Sequence, residues 1–216
     1  MILQMEDVTK SYNRGNRVFK VIENVRLNVD KNELLILSGK SGSGKSTLLA
    51  LMGGYLRPDE GRILFGDKDY QLMNESELSK YHSDKIGYLP QSNVLLSDYT
   101  ILENVLLSFL LFEKEEKKED ALDIMDRLGI KELAQRHPFE LSGGELRRAS
   151  IARLLLRRPL FYLLDEPSGG LDKDTTQIVM EYLKECVESG ATVVVATHDD
   201  QVLEYGTRVY EMLKQN

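Results

Sequence analysis

Two rhythms of apolar and polar positions alternate along the chain. Short apolar runs recur at residues 33–38, 62–65, 86–89, 160–164 and 192–196. They are too short for helices and read as strands, the most continuously apolar of them covered on both faces. Between them, residues 45–52, 74–83, 101–112 and 172–189 carry apolar positions at helical spacing. Strand following helix in this way predicts an α/β architecture with a mostly parallel sheet. The beginning of the chain departs from that rhythm. Residues 2–12 and 18–29 are successive β segments around the turn residues Asn13, Arg14, Gly15 and Asn16, which predicts an N-terminal antiparallel β unit.

Start and stop signals sharpen the helices. Gly53 and Gly54 follow the first, and Gly190 follows the helix that Asp172 opens. Thr100 and Glu103 form a capping-box pair ahead of residues 101–112. A mixed charge block over residues 113–120 leads into a helix ending near Leu128, with Gly129 behind it. This run of helices, residues 92–158 in round terms, predicts a helical subdomain inserted into one domain spanning 1–216.

Composition removes several classes of function. With 42% hydrophobic residues among 216, the chain can build a core, so disorder, collagen and a mini-protein scaffold are excluded. A formal net charge of −7 argues against nonspecific nucleic-acid binding, and no nucleic-acid partner is expected. The single cysteine, Cys186, predicts a reducing, cytoplasmic setting. Polar and acidic residues within the first seven positions predict no signal peptide, and residues 101–112 are too short to span a bilayer.

The chemistry begins after the first buried strand. Gly39, Lys40, Ser41, Gly42, Ser43, Gly44, Lys45 and Ser46 match G-x-x-x-x-G-K-S/T at every fixed position, between a strand and a helix. Such a loop wraps its backbone N–H groups and a helix N-terminus around phosphate. Lys45 is placed for the β- and γ-phosphates, Ser46 for Mg²⁺, and Thr47 for a further phosphate contact. Asp165 and Glu166 close another buried strand, the first suited to hold magnesium and the second to take a proton from water. A second glycine-rich helix start follows Leu141: Ser142, Gly143, Gly144 and Glu145, with Ser142 and Glu145 at capping-box spacing. One set of acids and two anion-type helix starts suggest that the second start serves another molecule's nucleotide.

In these motifs the chain resembles the nucleotide-binding subunits of ABC transporters. Leu141 to Glu145 looks like the family's signature, with Ser142 standing 23 residues before Asp165 as is typical there. The resemblance implies a head-to-tail dimer with two ATPs between the cradle of one subunit and the signature of the other, the second subunit being a copy or a homologous ATPase. It implies adenine stacking on Tyr12, and contact of Gln91 with Mg²⁺ and the attacking water. It further implies that Asp172 lies in a loop crossing the dimer interface and that His198 orients water at the γ-phosphate. His82 and His137 match no family position and are expected at the surface. Leu146, Arg147 and Arg148 replace a more usual glutamine-rich continuation, and Gly169 and Gly170 replace a less flexible pair. The branch is most like the lipoprotein-release, macrolide-export and cell-division group. The implied activity is ATP hydrolysis that drives an integral membrane permease subunit, with the chain cytoplasmic and peripheral on the inner face of the membrane. Residues 101–112 are open to two uses, a groove for that partner or packing of the helices on one another. The alternatives are a soluble ABC-type ATPase working on nucleic acid or ribosomes, and, more distantly, a P-loop kinase or GTPase.

Overall fold

The computed structural model describes residues 1–15, 17–92, 94–110 and 117–213. Its frame is a five-stranded, wholly parallel sheet in the order β6-β7-β8-β3-β9. These strands are β3 (Leu34–Ser38), β6 (Ile86–Leu89), β7 (Phe161–Asp165), β8 (Thr192–Thr197) and β9 (Arg208–Glu211). A second, antiparallel sheet runs β2-β1-β4-β5 through β1 (Leu3–Arg14), β2 (Arg17–Val29), β4 (Glu60–Phe65) and β5 (Lys68–Asp69).

Side-chain alternation in the central strands feeds two separate cores. Leu35 and Leu37 of β3, Phe161 and Leu163 of β7, and Val194 and Ala196 of β8 pack towards the antiparallel sheet and α1 (Lys45–Met52). The alternate residues Leu34, Ile36, Tyr162, Leu164, Val193 and Val195 pack on the opposite face. There they meet α3 (Ile101–Leu110), α4 (Lys118–Arg127), α5 (Gly143–Arg157) and α6 (Lys173–Glu188). Burial on both faces explains why these strands read as unbroken apolar runs, each large side chain contributing about 1.5–3 kcal/mol of transfer free energy.

Residues α3 to α5 fall between β6 and β7, and α2 (Glu75–Asp84) between β5 and β6. The expected capping box of Thr100 with Glu103 forms before α3, and the structure adds another, Asn74 with Glu77, at α2. Gly129 and Gly190 follow α4 and α6 as expected. The apolar positions of α3 turn inward. Ile101, Leu102, Val105 and Leu106 are buried against the helical core, so packing accounts for them. Phe112 and half of the charge block, residues 113–116, lie outside the described residues. Two expectations need correction. His82 is half-buried, stacked on Tyr55 with ring centroids 4.2 Å apart and donating through Nε2 to the Gly53 carbonyl at 2.7 Å. His137 is half-buried as well, with its Nδ1 enclosed by the protein.

Candidate functional site

The cradle, residues 39–46, follows β3 and opens α1, whose N-cap Gly44 has φ 96°. A Cβ there would stand 2.9 Å from the Val21 carbonyl oxygen, so both conformation and space require glycine. This contact brings β2 against the loop. Tyr12 lies on the same hairpin, paired with Phe19, and is 42% exposed. Lys40, Ser41, Gly42 and Ser46 are exposed, whereas Ser43 and Lys45 are buried. Lys45 Nζ donates to the Gly39 carbonyl at 2.7 Å, curling back over the loop that it would serve.

Parallel pairing of β3 with β8 and of β8 with β7 brings the carboxyl ends of the three strands to one edge, and the acids meet Lys45 there. Glu166 Oε1 is 3.6 Å from Lys45 Nζ and 2.8 Å from His198 Nδ1. Its Oε2 accepts from Thr197 Oγ1 at 3.1 Å and from the His198 amide at 3.3 Å. The Glu166 backbone is left-handed, φ 49°, and its N–H donates to the Ala196 carbonyl at 2.8 Å. A non-glycine residue in that region is strained and needs surrounding support.

Asp165 is 2% exposed, and burial pushes its carboxyl pKa up, while a hydrogen bond with the Ser46 side chain pulls it down. An acid this enclosed beside a hydroxyl lacks full compensation for its charge. One carboxylate and one hydroxyl, both hard oxygen donors, suit a small divalent cation that keeps waters and phosphate oxygens as its remaining ligands. This donor chemistry fits Mg²⁺.

The second glycine-rich start is built as a cap. Glu145 Oε2 accepts from both the amide and the hydroxyl of Ser142 at 2.7 Å, and the Ser142 hydroxyl accepts from the Glu145 amide at 3.4 Å. Those two donors hold the Glu145 carboxyl below the usual range. Gly144 packs on the loop that follows the acids, since a Cβ on it would stand 2.8 Å from the Gly170 carbonyl oxygen. Asp172 ends that loop as the N-cap of α6, accepting from the Thr175 amide at 2.8 Å.

The structure thus gathers Lys45, Ser46, Asp165, Glu166 and His198 into one contact network. Tyr12, Gln91, Ser142 and Asp172 stand on neighbouring elements rather than within it. Two members of the network escaped the sequence reading. Thr197 is fully buried and orients Glu166, a role that its place beside His198 does not by itself announce. Arg147, 2% exposed, donates to the carbonyls of Pro90 at 2.7 Å, Asp165, and Glu166 at 2.9 Å.

The family described as ABC transporter matches residues 22–169. The ABC transporter ATP-binding protein YtrE of Bacillus subtilis is 39% identical over 92% of this chain and 87% of its own length. The lipoprotein-releasing system ATP-binding protein LolD of Aquifex aeolicus is 36% identical over 98% of this chain and 93% of its own. A solved dimer of the ATP-binding cassette MJ0796, a Methanocaldococcus jannaschii protein, in a post-hydrolysis state bound to ADP and Pi, superposes with a TM-score of 0.92. It is 34% identical and covers 99% of this chain and 95% of that one. Similarity that runs almost from end to end in both sequence and fold leaves one assignment: the chain belongs to the ABC transporter family, as an ATP-binding subunit with ATPase activity.

Proposed function

We propose that this chain closes head to tail with a copy of itself or a homologous ATPase subunit around two Mg-ATP, and passes that motion to an integral membrane permease. The observation that carries the reading is the imbalance within one chain. Among the described residues one acid network faces the cradle, while the hydroxyl of Ser142 is capped on Glu145 at a helix start on another element. Two chains complete each other: the cradle of one and the Ser142 start of the second enclose each nucleotide. The dimeric MJ0796 cassette and the relatives of the lipoprotein-releasing type support this arrangement.

The roles follow from the residues. Residues 39–47 wrap the phosphates, and Tyr12 stacks on adenine. Lys45 leaves the Gly39 carbonyl for the β- and γ-phosphate oxygens. Ser46, Asp165 and Gln91 would hold Mg²⁺, which when bound neutralises phosphate charge. Glu166, fixed through Thr197 and His198, accepts the proton of the attacking water, and His198 orients that water. Ser142, Gly143 and Gly144 of the partner subunit add positive potential at the γ-phosphate, and Asp172 lines the seam. Among the described residues no helix is long and apolar enough to cross a membrane, so a peripheral position on its inner face requires the partner. The branch that fits is the lipoprotein-release, macrolide-export and cell-division group, in which the ATPase works on a membrane partner's shape.

The test is Glu166→Gln. It is expected to bind ATP, to accumulate as an ATP-bound dimer, and to lose roughly 10²–10⁴-fold in turnover, the usual contribution of general base catalysis. Hydrolysis at the wild-type rate would remove Glu166 as the base.

A further inference from the structure

Arg147 stands in α5 a little over one turn beyond the capped start at Ser142, and its guanidinium is buried. Its hydrogen bonds go to main-chain carbonyls. Nη1 donates to Pro90, the residue before Gln91, and Nη2 reaches across to Asp165 and Glu166. Burial lowers its pKa, and the negative charges of Asp165 and Glu166 raise it again. Filling this space alone would not call for a cation, because burying one is unfavourable unless its donors are used and its charge is balanced. Only the planar fork of arginine presents donors in two directions at fixed spacing. A glutamine, with one shorter amide, cannot span the β6–Gln91 loop and the acid pair together.

The geometry points to Arg147 as a positioning residue that ties the seating of a partner's nucleotide on Ser142 to the alignment of the chain's own Gln91 loop and Glu166. A single helical turn is stiff, so a displacement of the α5 start carries Arg147 with it. The guanidinium moves the carbonyls that it holds. Glu166 is receptive to this because its left-handed backbone depends on outside support. Arg148, the next residue, makes a different set of ties, donating to the Leu128 and Gly129 carbonyls at 3.1 and 3.2 Å, with its charge felt by Glu145 and Asp172 and no hydrogen bond to the carbonyls of Asp165 and Glu166.

The inference rests on the head-to-tail reading, and the experiment separates the two. Purified full-length Arg147→Gln, Arg147→Lys, Arg148→Gln and Glu166→Gln are compared with wild type by ATPase kinetics, titration with a fluorescent ATP analogue and thermal melting. Arg147→Gln is expected to lose roughly tenfold to a hundredfold in kcat, the scale of a misplaced catalytic group. Its KM and analogue affinity should stay within about twofold, since ground-state binding is not what Arg147 serves. Arg147→Lys keeps the charge with a single donor group and should recover part of kcat. Arg148→Gln should lower the melting temperature and leave kcat near wild type. The inference fails if Arg147→Gln keeps wild-type kcat, if its affinity falls in step with kcat, or if Arg148→Gln loses as much kcat. Should Arg147→Gln not fold, Arg147→Lys decides, because wild-type kcat there also overturns the inference. Glu166→Gln turning over at the wild-type rate would instead overturn the underlying reading.

Discussion

Ser142 and Glu145 exchange three hydrogen bonds, and each residue serves as the other's cap. Because the folded state holds Glu145 below its ordinary value of 4.5, the carboxylate stabilises the fold above that pH. This contribution is lost as pH falls through the lower, folded value. Ser142→Ala removes the hydroxyl, which as an N-cap is worth about 1 kcal/mol, and should lower the melting temperature by about 2–4 °C at neutral pH. Melts from neutral pH into acid should show the gap to wild type starting to narrow below pH 4.5 and closing once the pH has passed the lower, folded value, where the Glu145 carboxylate is protonated. A gap independent of pH would mean that the charge plays no part in the cap. At this scale the residues with fixed motif spacing were legible: Lys45, Ser46, Asp165 and Glu166 need particular neighbours in sequence as well as in space. Thr197 and Arg147 were not, because a buried threonine in an apolar strand and an arginine in a charged helix have many commoner explanations. Only the fold brings their donors to Glu166 and to its carbonyl.

The seam between the start of α5 and residues 168–172 is set by a close approach of two backbones. Gly144 has no room for a methyl group against the Gly170 carbonyl oxygen, 2.8 Å from where its Cβ would lie. Gly170 has φ 78°, so the loop holds a conformation that few other residues adopt easily. Gly144→Ala is therefore expected to push the loop and Asp172 away while leaving the helix intact, since alanine is the better helix former. ATP-dependent dimerisation, followed by sedimentation, should weaken, with the helical circular dichroism unchanged. Retained dimerisation would show that this contact does not shape the dimerising face. Elements with strong periodicity were legible because burial on two faces, or one apolar stripe plus a cap, leaves a clear pattern. The strands β9 and β5 were missed for the opposite reason. Arg208–Glu211 is an edge strand with mostly exposed side chains, and Lys68–Asp69 is too short to carry a pattern. His82 looked like a surface residue because nothing local announces the Tyr55 ring that covers it.

For the whole molecule, the central consequence of the fold is that the acids Asp165 and Glu166 and the Ser142 start belong to different elements of one chain and are expected to serve different nucleotides. Two damaged chains should then repair each other. In a head-to-tail pair, Glu166→Gln spoils the site formed by its own cradle but still offers an intact Ser142 to its partner. Ser142→Arg spoils the start that it offers, through bulk and positive charge, yet keeps its own Lys45, Asp165 and Glu166. Each variant alone has two broken sites per dimer, whereas a mixed dimer has one complete site. Equal amounts mixed before ATP is added should form half their dimers as mixed pairs, restoring roughly a quarter of the wild-type specific activity by the arithmetic of random two-fold pairing. If each chain instead completed its own site, mixing would give only the mean of two inactive proteins. Restored phosphate release would therefore locate the completed site between chains, which neither single variant can do.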